Sequence, residues 1–269
     1  MELPISQGGR RYGVLPPKFK ATDYGRPHFF LSTPPPPFDY HLFEKYARVV
    51  KDQGAEGSCT GNGGATHQEF LEIAYAGHDV VLSPKGIYYL ERQEEGTLSQ
   101  GDCGAQIQTC AAVLCKYGAT PLADQPYVAG DFSTAPTPEQ LTEALQYKSG
   151  AYHRISTVLD IKNCINSGYT FIIGMAVYDS FENDVKSDGL MPMPDTGKES
   201  LLGGHCLSSG WAYDDRVKCP NANSPGAVLT QNSWSASWGL EGRVWIPYEY
   251  FADFNFVWDM RITHKGKPW

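Results

Sequence analysis

One short stretch, Gln53-Gly54-Ala55-Glu56-Gly57-Ser58-Cys59-Thr60, constrains this chain more than any other. A Cys follows a Gly-Ser step, and behind it run Ala65, Thr66, Phe70, Leu71 and Ala74, closed by Gly77. That spacing predicts a partly apolar helix beginning near Cys59. Gly61, Gly63 and Gly64 weaken such a helix by about 1 kcal/mol each relative to Ala, so tertiary packing must hold it. A thiol at a helix N-terminus faces unpaired N–H groups and the positive end of the dipole, which favour the thiolate, its nucleophilic form. A nucleophile of this kind needs a base and a group to orient that base. His205 in Gly203-Gly204-His205-Cys206 and Asn232 in Thr230-Gln231-Asn232-Ser233-Trp234 are the candidates.

In order and spacing, Asp52-Gln53-Gly54, Gly57-Ser58-Cys59, Gly203-Gly204-His205, Asn232-Ser233-Trp234 with Trp238-Gly239, and Gly242 resemble the papain-like cysteine peptidases. In that family the His follows the nucleophile by about 130–150 residues. The likeness runs from about Phe38 to about Ile262. It is nearest to the bacterial and viral members with Gly-Ser-Cys-Thr-x-Asn, here Gly57 to Asn62. The resemblance implies an endopeptidase needing no cofactor and no metal. Cys59 would attack the carbonyl to give a thioester, and His205 would act as base and then acid. Asn232 would orient His205, and Gln53 with the Cys59 amide would hold the oxyanion. It also implies that Gly57, Ser58, Gly104, Ala105, Gly204, Cys206 and Trp234 contact substrate. Of these, Gly104 would supply main-chain hydrogen bonds, Cys206 would line a pocket, and Trp234 would shield the Asn–His bond. Other thiol-dependent amide or isopeptide hydrolysis, and a non-catalytic binding module on the same scaffold, are the alternatives.

The chain departs from the family pattern in places. Thr60 replaces an aromatic, Ser235 replaces a Gly, and Phe38-Asp39-Tyr40 lacks the Arg that usually follows that Asp. Glu56 and Asp102 occupy the positions of the framework disulfide of the plant and lysosomal relatives. Its absence fits a reducing compartment, and the other six Cys read as buried thiols. His67 is the one rival base by sequence, but on a helix it lies over two turns from Cys59.

Net charge is −8 with a pI near 5.3, which excludes a basic nucleic-acid-binding face. No apolar run of about 18 residues is present, so no membrane span is expected, and no secretory leader is visible. A monomer acting on peptide or protein substrates is the expectation.

Residues 1–37 have their own character: Arg10-Arg11-Tyr12-Gly13, then Leu15-Pro16-Pro17, then the run Pro34 to Pro37. They read as an extension before a catalytic part over 38–269, either packed on the surface or lying across the cleft as an arm. Within the catalytic part, Ser83-Pro84 caps a second helix, and Ile107, Cys110, Ala111, Val113 and Leu114 mark a third. From about Tyr152 the period changes to that of strands, with Phe171, Ile173, Met175 and Val177 on one face. Segments from His205, Val228 and Arg243 also read as extended. The expected class is α+β, a papain-like two-lobe fold with the site between the lobes. The helical lobe, about 50–150, would carry the nucleophile. The antiparallel, barrel-like lobe, about 151–262, would carry His and Asn.

Overall fold

In the computed structural model, residues 3–17 and 49–265 are described. Pro34 to Pro37 and Phe38-Asp39-Tyr40 lie outside them. Four helices come first: α1 (Cys59–Leu71), α2 (Pro84–Glu94), α3 (Ile107–Lys116) and α4 (Pro138–Ala144). Strands follow with short helices between: β1 (Ala151–Arg154), α5 (Val158–Asn166), β2 (Ile172–Tyr178), α6 (Asp179–Asn183), β3 (Leu201–Asp214), β4 (Ala227–Gln231), β5 (Arg243–Pro247), α7 (Tyr248–Ala252) and β6 (Val257–His264).

The starts of α2, α4 and α5 follow from local chemistry. Ser83 has extended backbone and its hydroxyl accepts from the Lys85 N–H, with Pro84 at the first helical position. Thr137 with Gln140, and Thr157 with Asp160, form reciprocal capping boxes that start α4 and α5. At its C-terminal end α1 widens into a single broader turn over Glu72–Ala76 before Gly77 ends it. All thirteen residues of α1 are buried, so the helix is covered on every side, not on one face alone. Packing against α2, α3 and β3 therefore offsets its three glycines.

The six strands form one antiparallel sheet in the order β1-β6-β2-β3-β4-β5. β2 is central and divides two apolar cores. Phe171, Ile173, Met175 and Val177 face a core with Phe70, Trp211, Phe181 and Trp234. Ile172 faces the other, with Val14, Cys59, Ile107 and Cys206. The alternation read from the sequence is thus the division between the cores, and both faces are buried because α1 and α3 cover one of them. Among the described residues no helix is long and apolar enough to cross a membrane.

Candidate active site

Cys59 is the first residue of α1, and the turn before it is held rigidly. Ser58 Oγ shares a 2.8 Å hydrogen bond with the Tyr127 hydroxyl, and Asn62 Nδ2 donates to both the carbonyl and hydroxyl of Ser58. The Ser58 side chain is therefore fully engaged in shaping the loop. Two carboxylates brace the turn. Glu56 Oε2 accepts from the Gly130 N–H at 2.7 Å. Asp102 Oδ2 accepts from the Gly57 N–H at 2.8 Å, and its Oδ1 accepts from the Tyr88 hydroxyl at 2.6 Å. All seven cysteines are free thiols; six are buried and Cys115 is half-buried.

His205 projects from β3 and Asn232 follows β4, and the pairing of those strands brings them together. His205 Nε2 and Asn232 Oδ1 lie 2.8 Å apart. The Ser233 backbone N–H donates to that same oxygen at 2.8 Å, which requires the amide oxygen, not its nitrogen, at this place. His205 Nε2 must then carry the proton, so the neutral ring has its lone pair on Nδ1. Nδ1 is buried and no group among the described residues hydrogen-bonds to it. Trp234 lies over the imidazole at 4.9 Å between ring centroids, flanked in turn by Phe181 and Trp238. This aromatic wall keeps water from the His–Asn hydrogen bond.

Gln53 joins the two sides. Its Oε1 accepts from Ser233 Oγ at 2.6 Å and its Nε2 donates to the Glu56 carbonyl at 2.8 Å, which leaves one amide hydrogen for a further acceptor. No three His, Cys, Asp or Glu side chains among the described residues are grouped to hold a metal ion.

The N-terminal segment does not pack on a remote surface. Residues 12–15 run through the site as an extended strand between the two walls. The Val14 N–H donates to the Gly204 carbonyl at 2.8 Å. The Ala105 N–H donates to the Gly13 carbonyl at 2.7 Å, and the Leu15 N–H donates to the Ala105 carbonyl at 3.0 Å. Both pairings are parallel. Glycine is required where the chains cross. A Cβ on Gly13 would run into the Gly57 carbonyl, and one on Gly104, at φ +76°, would run into the Gly13 carbonyl. Arg10 places its guanidinium 4.1 Å from the centre of the Trp234 ring, and Tyr12 packs edge-on against His205.

Ala105, not Gly104, uses both its N–H and its carbonyl on the arm, while the Gly104 N–H donates to the Tyr88 hydroxyl. Gly104 turns the chain so that Ala105 can present its edge. Cys206 lies in the same core as Val14, with its sulfur over Gly63 of α1, where a side chain on that glycine would collide with it.

With the arm in place Cys59 and His205 are wholly buried, and this changes their proton affinities. Burial pushes the thiol up to about 12, against the pull of the backbone amides of Cys206 and Gly13. Burial likewise drives His205 down to about 4, although Asn232 favours the charged ring. The covered state therefore holds a neutral thiol and a neutral imidazole.

Several contributing residues were not singled out from sequence. Phe181 packs on Trp234, and Glu182 accepts a hydrogen bond from Ser6 of the arm. Glu91 is buried behind Thr60, whose hydroxyl donates to it at 2.5 Å, and burial raises its pKa to about 8. A carboxylate on the apolar helical pattern of α2 was the available signal for Glu91; Phe181 and Glu182 had none. His67 lies between Thr170 and Thr263 at 2.8 and 2.9 Å, away from the cleft, and burial lowers it to about 3.

Comparison with known proteins now bears on this site. An uncharacterized peptidase C1-like protein of Acanthamoeba polyphaga mimivirus is 33% identical over 226 residues, covering 80% of this chain and 69% of the relative. The chain belongs to the papain-like cysteine peptidases. Xylellain, a cysteine protease from Xylella fastidiosa, superposes on this peptidase with a TM-score of 0.82 and 28% identity, over 95% of this chain and 96% of its own. ProCathepsin B S9 from Trypanosoma congolense shares the fold at a TM-score of 0.66 and 16% identity, over 97% and 88% of the two chains. No family model matches the chain. The peptidase is accordingly a hydrolase with the papain-like arrangement of helices and a curled antiparallel sheet.

Proposed function

We propose that this peptidase cleaves peptide bonds through a Cys59–His205–Asn232 triad and a thioester acyl-enzyme. His205 Nδ1 takes the Cys59 proton, the sulfur attacks the carbonyl carbon, and the imidazolium then protonates the leaving amine. Water, activated by the same nitrogen, hydrolyses the thioester. Asn232 keeps the proton of the neutral ring on Nε2, and Gln53 Nε2 with the Cys59 N–H receives the developing oxyanion. The observation that carries this reading is the His205–Asn232 pair. Its hydrogen bond, fixed in direction by the Ser233 N–H, leaves Nδ1 as a buried base without a hydrogen-bond partner among the described residues. Every group comes from one chain, so a monomer suffices.

The same proposal makes the described residues 3–17, within an extension over 1–37, an arm that closes the site, and 38–269 the catalytic part, with a helical lobe over about 50–150 and a β lobe over about 151–262. The arm's main-chain bonds occupy the two edges that a substrate needs. Mass spectrometry after an epoxysuccinyl thiol inhibitor tests both parts. The Gly13→Ala chain, whose extra carbon meets the Gly57 carbonyl, should form one adduct on Cys59 at least tenfold faster than wild type. The adduct should vanish in Gly13→Ala/His205→Ala. Equal rates in wild type and Gly13→Ala would end the gating reading, and no adduct in either would end the triad reading.

A further inference from the structure

Glu91 has no part in the chemistry above, yet it is tied to the residue next to the nucleophile. It is 0% exposed on α2, and its Oε2 accepts from the Thr60 hydroxyl at 2.5 Å. Thr60 follows Cys59 directly, so this bond fastens the first turn of α1 to α2. The two helices come close enough for it because Gly61 carries no side chain. A Cβ there would lie 2.6 Å from the Pro84 carbonyl.

A charge at this place has nothing to offset it. Glu91 Oε1 is buried, and no group among the described residues hydrogen-bonds to it. The Cys110 thiol of α3 lies near the carboxyl but donates to the Thr60 carbonyl, with 3.4 Å between sulfur and oxygen. The groups that act on Glu91 are Thr60, Cys110 and Glu95, and no Lys, Arg or His is among them. Arg92, its neighbour on α2, directs its two Nη atoms to the carbonyls of Phe132, Leu98 and Gly101. Lys51, the buried cation against α1, is paired with Glu69. A carboxylate would leave Oε1 charged and unmet, whereas a carboxylic acid needs no cation, and burial raises the group to about 8 accordingly. Three thiols face it: Cys59 on α1, Cys110 on α3 and Cys206 on β3. A negative charge on Glu91 strengthens the hold of each on its proton.

We propose that Glu91 is a positioning residue for the nucleophile: as a neutral acid it holds Thr60 and the start of α1, and as a carboxylate it opposes the Cys59 thiolate. The proposal rests on the peptidase reading above, in which Cys59 is the nucleophile. It couples the thiol to a second proton that lies outside the Cys59–His205–Asn232 set. While Glu91 keeps that proton, Cys59 ionises as though an uncharged side chain stood behind it. Once Glu91 loses it, a second negative charge on the sulfur meets a like charge, and the two groups titrate as a pair.

The test measures alkylation of Cys59 by iodoacetamide, mapped by mass spectrometry from pH 6 to pH 9. The parent is the full-length Gly13→Ala/His205→Ala chain, in which Cys59 titrates without the imidazole. Glu91→Gln and Glu91→Leu are each added to it. The ratio of variant to parent rate should rise with pH, so that by pH 9 it is roughly three- to tenfold above its value at pH 6. Loss of the Thr60 bond alone changes the rate by the same factor at every pH. A ratio that stays constant from pH 6 to pH 9 therefore overturns the proposal and leaves the peptidase reading standing. Infrared spectra of the full-length wild-type chain give a second measurement that requires neither variant to fold. A protonated-carboxyl stretch should be present at pH 7 and fade by pH 9, and its absence at pH 7 overturns the proposal. No adduct on Cys59 in the parent at any pH overturns the peptidase reading and this proposal with it.

Discussion

The two walls of the cleft hold their catalytic groups by different physics. On the helical side, Cys59 is positioned by polar bracing. Glu56 and Asp102 accept backbone N–H groups, Ser58 bonds Tyr127 and Asn62, and Thr60 bonds Glu91. On the sheet side, His205 has one directed hydrogen bond, to Asn232, and a wall of Trp234, Trp238 and Phe181. The difference follows from the elements involved. The loop ahead of the helix leaves backbone donors at Gly57 and, across from it, at Gly130, which Asp102 and Glu56 meet, so the nucleophile side is built from carboxylates and hydroxyls. Paired strands have spent their backbone groups on each other, so the base side is held by side-chain packing. Polar bracing is sensitive to charge, and aromatic packing to volume.

Breaking the aromatic side should have the largest effect on stability. Phe181→Ala removes a buried ring against Trp234 and should cost about 3–5 kcal/mol in denaturant unfolding. A loss below about 1 kcal/mol would mean that the wall collapses onto the gap. Gln53, which joins the two sides, should show most in rate. In the Gly13→Ala chain, Gln53→Ala should lower kcat by about 100- to 1,000-fold if it is an oxyanion donor. A change confined to KM would assign it to substrate binding instead.

The arm across both walls makes the comparison pH-dependent. His205 falls from its ordinary 6.5 to about 4 in the covered state, so closure is fully favoured above 6.5 and weakens as pH falls toward 4. Cys59 rises from 9.0 to about 12, so closure is fully favoured below 9 and weakens as pH rises through that range. The arm should be tightest between about pH 6.5 and 9. Hydrogen exchange of the Val14 and Leu15 amides, corrected for intrinsic rate, should be several-fold faster at pH 5 than at pH 7.5. Exchange unchanged across that range would show that burial by the arm does not control His205.

The smallest effect should come from Ser235, which occupies the left-handed region at φ +66°. Ser235→Gly relieves that backbone but loses the hydroxyl contacts to Ser237. We expect a stabilisation of under about 1 kcal/mol by thermal melting. A clear destabilisation would show that the Ser237 contacts outweigh the backbone strain.

Much of the framework was legible in the chain itself. Glycine and proline punctuation with apolar spacing marked α1 to α3, alternation marked β2, and extended runs marked β3 to β5. The late elements were missed although local signals existed: the capping boxes at Thr137 and Thr157 were not read, and β6 was passed over. Its short partner β1 leaves β6 as a strand recognisable mainly by its pairing with β1 and β2. The Gly104-Ala105 edge was named from the sequence, but that Ala105 bonds the arm while the Gly104 N–H bonds the Tyr88 hydroxyl depends on the tertiary structure.

By itself the sequence determined the local events: a thiol opening a helix after Gly57-Ser58, a His on one strand and an Asn just past the end of another, and an Arg-Arg-Tyr-Gly segment ahead of them. Local spacing determines these because helix starts and strand faces depend on residues within a few positions of each other. Only the tertiary structure decided that Gly13 crosses Gly57, that Arg11 meets Asp102, and that Cys59 and His205 lose their water. Those outcomes depend on segments far apart in the chain closing on one cleft, and desolvation is a property of that closure.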